Sequence, residues 1–394
     1  MKITTDDNKI TGLIGRGVEE VIEKESLLKK LKSGRKLRIK HGIDPTGPRI
    51  HLGRAIQFRK LRVFQELGHQ VVLIIGDFTA QIGDASDKDA MRRSLSEKEI
   101  KENMKDYEHQ IGKILNMRKV ELRHNSEWLK KMTAKDLLAI SMQFTAQQLI
   151  QRRNFKERWD AGRPIGLHEL DYPLFQGYDS MAIKADVEVG GTDQVFNMLT
   201  GRDIQPMFGQ PSQDVMTLKM LNGLDGRKMS TSWGNIISII DEPNDMYGKV
   251  MSMKDESIPE YFELCTDISF EELESVKKSQ ANPRDIKARL AKMIVKIYHG
   301  EELAQGAENE FNKVFSEKGL PTDIPEVEIK EKSLPILDLL VLSGATFSKS
   351  EAKRLILQGG VKINGEVQND WQKVVEIKKG MVVRAGKRKF ARIK

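Results

Sequence analysis

The sequence is poor in the features that would place it outside the cell or in a membrane. It has a single cysteine, Cys265, which excludes an internal disulfide framework. No stretch approaches the ~20 consecutive apolar residues of a membrane-spanning helix. The first residues, MKITTDDNKI, are polar and carry no signal-peptide pattern. Together these absences predict a cytoplasmic protein. Low-complexity segments and long internal repeats are also missing. No His, Cys, Asp and Glu spacing suggests a metal site, and His41, His69, His109, His124, His168 and His299 read as structural or surface residues. Nor is there a catalytic cysteine or a Ser–His–Asp arrangement.

What is present is an enzyme-sized body with a basic tail. A chain of 394 residues predicts two or three domains. Residues 331–394 hold 14 Lys and Arg against 6 Asp and Glu, which accounts for the whole formal charge of +8. A neutral body with a short basic appendage fits either a nucleic-acid-binding tail or a solvated surface that keeps the protein soluble.

Apolar periodicity predicts a helix over 16–33, a strand at 37–43 and a helix at 54–67. A buried strand follows at 71–78, then a helix near 97–116 and a strand at 120–124. Residues 127–163 read as a helical, locally basic insertion carrying Arg152, Arg153, Lys156 and Arg158. A helix at 171–184 with Pro173 in its first turn, and strands at 186–194 and 215–221, complete the alternation. The order argues for a doubly wound α/β domain with a parallel sheet. From 241 to about 320 the pattern is helical, Pro321 and Pro325 mark a linker, and the tail reads as two helices followed by short strands. Asn364-Gly365 is a hairpin-turn dipeptide.

Leu37–Arg54, LRIKHGIDPTGPRIHLGR, reads as strand, tight loop and helix start. Such a loop offers backbone N–H groups and the positive end of a helix dipole to a phosphate, and Gly53 permits close approach of a ligand. The plain alternative is an ordinary strand–helix connection. The glycine-rich loop 222–235 carries Lys228, which could close over polyphosphate. Tyr172, Gln176 and Asp179 stand at i, i+4 and i+7, so they share one face of a helix. That face is either a ligand site or a polar surface. Asp44 and Asp84 follow the first two buried strands, where open α/β sheets bind ligands; each could equally be a turn or cap residue. Lys88 and Arg92 fit a solvated loop better than a phosphate site.

The motifs GIDPTGPRIHLGR, IGDFTAQIGD, YPLFQGYDS, EVGGTDQ and DGRKMSTS, with the basic tail, resemble the bacterial tyrosyl-tRNA synthetases. This is a branch of the class I aminoacyl-tRNA synthetases, whose HIGH and KMSKS motifs match HLGR and the loop at 228–232. The resemblance runs from about residue 30 to 394. It implies a tyrosine–tRNA ligase: the tyrosine carboxylate attacks the α-phosphate of ATP, pyrophosphate leaves, and a ribose hydroxyl at the tRNA 3′ end takes the tyrosyl group. ATP would come with Mg²⁺, and no tightly bound cofactor is implied. Thr46, His51, Arg54 and Lys228 would act on the phosphates. Asp44, Gly53, Asp193, Gln194, Met229, Ser230 and Thr231 would complete the ATP site. Asp84, Tyr172, Gln176 and Asp179 would hold tyrosine, with Asp179 accepting the phenolic hydroxyl and the other three around the ammonium group.

The resemblance also divides the chain. Residues 1–33 would form an N-terminal helical segment and 34–225 a Rossmann-like catalytic domain. The loop 226–240, a helical anticodon-binding domain over 241–325 and an S-four type RNA-binding domain over 333–394 would follow. Lys349, Lys353, Arg354 and Lys362 would give that tail a basic face for RNA. A homodimer is implied. Two positions depart from the pattern. Arg54 stands where a second histidine is usual, and Thr231 where a second lysine is usual; Arg227 could compensate for the lost charge. The rivals are a tryptophanyl relative, a synthetase-derived RNA-binding protein with little or no aminoacylation, and a small-molecule nucleotidyltransferase.

Overall fold

The computed structural model describes residues 3–84, 95–315, 324–329, 331–386 and 389–394. Lys88, Arg92 and Pro321 lie outside the described residues. The chain forms two compact units, one of residues 1–241 with 252–290 and one of residues 242–251 with 291–394. Among the described residues no helix is long and apolar enough to cross a membrane.

The first unit is built on a six-stranded sheet: β1 (Val18–Ile22), β2 (Arg38–Ile43), β3 (Gln70–Ile75), β4 (Val120–His124), β5 (Val187–Gly191) and β6 (Asp214–Leu218), in the order β1-β6-β5-β2-β3-β4. All neighbours run parallel except β1, which is antiparallel to β6. The doubly wound expectation therefore holds for β2 to β6, while β1 makes the sheet mixed. From β2 the chain winds outward through β3 and β4; it returns to β5 on the other flank and continues to β6. The reversal lies between β2 and β5, and the crevice beyond their carboxyl ends is where such sheets bind ligands.

The helix expected over 16–33 is instead β1 followed by a helix at Lys24–Lys32. Gly17 and Glu23 have φ of 64° each and bound the strand with left-handed residues. Val21 and Ile22 pair with Met216 and Val215, so an edge of the sheet overrides the helical reading of this short segment. The stretch near 97–116 also divides, into helices Glu97–Met104 and Tyr107–Gly112. The break buries Tyr107, whose hydroxyl donates to Gly47 O at 2.5 Å. The polar helix spans Leu167–Ala182, so Pro173 lies inside it and not in its first turn.

The insertion at 127–163 is helical, but its basic residues do not make a uniformly solvated face. Arg158 is fully buried against Glu169 at 2.8 Å. Arg152 is buried over the rings of Phe155 and Phe196.

In the second unit, helices Pro243–Ser252 and Glu301–Phe315 bring Tyr247 against Phe311. The tail packs helices Ile336–Leu342 and Lys349–Leu357 on a five-stranded sheet. Its core includes Ile336, Leu340, Ile356, Val361 and Val383. Asn364 and Gly365 both have positive φ, 49° and 89°, as the hairpin dipeptide predicts.

Candidate active site

A cavity of about 350 Å³ opens at the carboxyl ends of β2, β3, β5 and β6. Every residue expected to meet ATP or tyrosine lines it: Asp44, Thr46, His51, Gly53, Arg54, Asp84, Tyr172, Gln176, Asp179, Asp193, Gln194, Lys228, Met229, Ser230 and Thr231. These positions span 188 residues of sequence, and the sheet's reversal point is what gathers them.

One group of side chains is held by a dense set of hydrogen bonds. Asp179 is buried; its Oδ1 accepts from Trp128 Nε1 at 2.7 Å and its Oδ2 from Asn125 Nδ2 at 3.4 Å. Burial pushes the Asp179 carboxyl up to about 7, opposed by the positive charge of Lys40 and by those two donors. The Tyr172 hydroxyl donates to Asp44 at 2.9 Å, and Thr79 donates to the other oxygen of the same carboxylate at 2.8 Å. Gly76 makes this close packing possible, because a Cβ there would stand 2.0 Å from Asp44 Oδ1. Burial first, then the Asp44 and Asp84 charges, holds the Tyr172 hydroxyl well above its ordinary value, so it stays a donor. Gln176 donates to Glu188 at 3.1 Å, and Gln194 donates to Asp84 at 2.6 Å.

The second group gathers on the loop after β2 and on residues 222–235. His51 caps the helix Leu52–Glu66 in extended backbone geometry. Its Nδ1 is buried with no hydrogen-bond partner among the described residues. Burial, with the charges of Arg54 and Lys228, lowers the imidazole to about 3, so it is neutral at physiological pH. Arg54 donates to the Thr46 hydroxyl at 2.8 Å and stands 3.4 Å from the Tyr107 hydroxyl. Lys228 pairs with Asp193 at 3.1 Å. A Cβ on Gly53 would stand 3.2 Å from His51 Nδ1 and 3.5 Å from Met229 Cβ, so only glycine leaves this surface open.

The helix start does not present unoccupied backbone donors, as the sequence reading expected. Leu52 N–H donates to Ile237 O at 2.9 Å, Arg54 N–H to His51 O at 2.9 Å, and Gly53 N–H meets Met229 Sδ at 3.4 Å. Side chains, not this helix end, supply the donors here. Arg227 is not placed to replace a lysine at 231 either. Its guanidinium is bound to Asp225 at 2.5 Å and stacked on Trp233 at 4.6 Å. Asn235 ties the loop together, accepting from Ser230 N at 2.8 Å and donating to Asp225 at 2.8 Å.

Residues 32–316 match the family model of class I tRNA synthetases (W and Y), and residues 316–393 match that of the tyrosine–tRNA ligase SYY-like C-terminal domain. The chain is 49% identical to the tyrosine–tRNA ligase of Thermotoga maritima, over 97% of this chain and 96% of that one. It belongs to the tyrosine–tRNA ligase family. The ligase of Moorella thermoacetica is 47% identical over 97% of this chain and 94% of its own. Among solved structures, a C-terminally truncated mitochondrial tyrosyl-tRNA synthetase from Aspergillus nidulans shares the fold, with TM-score 0.66 and 20% identity over 78% of this chain and 94% of that one. The Archaeoglobus fulgidus tyrosyl-tRNA synthetase, solved with L-tyrosine, gives TM-score 0.61 and 25% identity over 77% of this chain and all of that one.

The cavity is also built from residues that sequence reasoning missed. Asn125 and Trp128 hold Asp179, and Thr79 holds Asp44. Glu188 lines the cavity and pairs with fully buried Lys40 at 2.9 Å. No local signal marked Lys40, which shares its strand with Arg38. In the tail, Lys349 pairs with Asp338 at 2.5 Å and Lys353 lies 3.7 Å over the Trp371 ring. Arg354 is exposed, and Lys362 is half-buried on the strand Val361–Ile363.

Proposed function

We propose that this cavity is where the chain, as a tyrosine–tRNA ligase, joins tyrosine to ATP. The observation that carries the reading is the division of one cavity into two groups of side chains. Tyr172, Gln176, Asp179 and Asp84 suit an amino acid with a hydroxyl at one end and an ammonium at the other. Thr46, His51, Arg54 and Lys228 suit phosphates.

Asp179 accepts the phenolic hydroxyl as a third donor beside Trp128 and Asn125. Asp84, Tyr172 and Gln176 surround the ammonium group. The tyrosine carboxylate oxygen then attacks the α-phosphorus of ATP, and the bond to the bridging oxygen of pyrophosphate breaks. No protein nucleophile is required, so catalysis is positioning and stabilisation of charge. Neutral His51 serves as a hydrogen-bonding group, not a cation; Arg54 and Lys228 supply the positive charge. Asp44, Asp193, Gln194, Met229, Ser230 and Thr231 complete the ATP side, and Gly53 leaves room for the nucleotide. Mg²⁺ arrives on the triphosphate as part of the substrate. A ribose hydroxyl of the tRNA finally attacks the tyrosyl carbonyl, and AMP leaves.

Residues 241–325 are assigned to the anticodon, and 333–394 to RNA binding of the S-four type through Lys349, Lys353, Arg354 and Lys362. A cytoplasmic homodimer is part of the same reading. The exposed Leu138, Met142, Trp159 and Leu167 of the first unit offer apolar surface for it. Charging assays with each amino acid on total tRNA test the function. Tyrosine alone should be attached, and tyrosine-dependent ATP–pyrophosphate exchange should occur without tRNA. Absence of that exchange in the pure protein would leave the RNA-binding alternative standing.

A further inference from the structure

Beneath the polar face of the helix Leu167–Ala182 lies a chain of polar groups that reaches beyond the expected site. It begins with Lys40 and Glu188, opposite one another in the β2–β5 register, with side chains only 0% and 2% exposed. Lys40 Nζ uses all three of its hydrogens: on Glu188 Oε1 at 2.9 Å, Gln176 O at 2.7 Å and Ser180 Oγ at 2.7 Å. Glu188 also accepts from Gln176 Nε2 at 3.1 Å, Ser180 Oγ at 3.2 Å and Gln213 Nε2 at 2.5 Å.

The chain continues towards Asp84. Asn197 Nδ2 donates to Gln176 Oε1 and to Gln194 Oε1, each at 3.0 Å, and Gln194 Nε2 donates to Asp84 Oδ2 at 2.6 Å. Its polarity is fixed by its ends. An ionised carboxylate can only accept, so Glu188 must face the NH₂ of Gln176 and Asp84 must face the NH₂ of Gln194. Both amide oxygens are thereby turned to Asn197, which must answer with its own NH₂. A carboxamide oxygen carries two lone pairs and can accept twice. Lys40 holds Glu188 as a carboxylate where an unpaired charge could not remain. A neutral group in place of Glu188 would remove the asymmetry, and Gln176 could then present NH₂ where an acceptor is needed.

We propose that Lys40, Glu188 and Asn197 are positioning residues that fix Gln176 and Gln194 with their oxygens as acceptors, and so make the cavity selective for the amino group of tyrosine. The inference rests on the reading above that places the ammonium beside Asp84, Tyr172 and Gln176. Its consequence is specific. Damage to the relay should weaken binding of tyrosine but not of the same molecule without its amino group, 3-(4-hydroxyphenyl)propanoate. A loss of general structure would weaken both.

The test is equilibrium binding of these two ligands to the full chain and three variants. In Glu188→Gln the Kd for tyrosine should rise by roughly tenfold or more, the cost of misdirecting a hydrogen bond to a charged group. The Kd for the des-amino analogue should stay within about threefold. Asn197→Ala leaves the Lys40–Glu188 pair and both carboxylate ends intact but removes the donor that holds the two amide oxygens in place, so tyrosine binding should shift in the same direction; it carries the test if Glu188→Gln does not fold. Asp84→Asn is the control for the underlying reading. If Asp84→Asn lowers the preference for tyrosine over the analogue while Glu188→Gln and Asn197→Ala leave it unchanged, the relay is overturned and the ammonium site stands. If none of the three changes that preference, both fall. Equal weakening of both ligands in Glu188→Gln and Asn197→Ala also overturns the relay.

Discussion

The two groups of side chains in the cavity are built differently. Around Asp179 and Gln176, the polar atoms are buried and bound to one another, and strands of the central sheet carry several of them. Around His51 and Lys228, contacts are sparser: His51 Nδ1 has no partner among the described residues, and Lys228 pairs with Asp193 at sites 30% and 19% exposed. Recognition of a fixed substrate end requires donors and acceptors set in advance. Release of pyrophosphate requires groups that can change partner as charge moves. On the proposed reading the first half is a mould, and the second is a set of contacts to be assembled around the nucleotide.

The comparison breaks most severely at Asp179. Replacing it with alanine removes the acceptor for the phenol and leaves Trp128 Nε1 and Asn125 Nδ2 without their partner. A cost of about 4 kcal/mol is expected, roughly a thousandfold in kcat/KM for tyrosine. The KM for ATP should move less than about threefold, because Asp179 makes no contact with the second group. A loss below about tenfold would place the phenol elsewhere. On the other side, Lys228→Ala should lower kcat for ATP–pyrophosphate exchange by about a hundredfold. Tyrosine binding, measured at equilibrium, should be unchanged. If tyrosine affinity falls as far as kcat, the two halves are not separable.

The halves should also answer differently to pH. Burial raises the Asp179 carboxyl to about 7, so in the free chain its ionised, accepting form is lost as pH falls through 7. The Kd for tyrosine should therefore rise by about tenfold between pH 8 and pH 6. His51, lowered to about 3, stays neutral over the whole range and should add no inflection to kcat at saturating tyrosine. A flat Kd between pH 6 and 8 would show that Asp179 does not accept the phenol as a carboxylate.

The same contrast explains what could be read in the sequence. The strand, loop and helix around His51 and the polar face at Tyr172, Gln176 and Asp179 were legible because period and spacing are local properties. The strand β1 was not, because its pairing partner lies about 200 residues away and outweighs the local pattern. Lys40 was illegible for a similar reason. An alternating strand should turn it outward, but β2 is flanked by β3 and β5 and covered on both sides, so both faces are buried. Its partner Glu188 becomes visible only when β2 and β5 are known to be neighbours. Asn125 and Trp128 reach Asp179 from a short turn and helix with no periodic signature. The fate of Arg227 depended on a ring, Trp233, six residues further along the same loop.

The smallest expected effect lies at the departure from the family pattern in that loop. Thr231 is exposed and lines the cavity, and its Cγ2 lies 3.8 Å from where a Cβ of Gly47 would be. Thr231→Lys would return a positive charge to the rim of the phosphate side without disturbing a buried contact. Arg227 cannot already provide it, being held by Asp225 and Trp233. An exposed charge is screened by water and salt, so a fall of only about threefold in the KM for ATP is expected at low ionic strength. The gain should shrink in 0.5 M salt, and the KM for tyrosine should not change, since none of the buried bonds around Asp179 involves this loop. An ATP KM that rises, or a tyrosine KM that falls with it, would mean that residue 231 does not stand over the phosphates and that the loop couples to the rigid half after all.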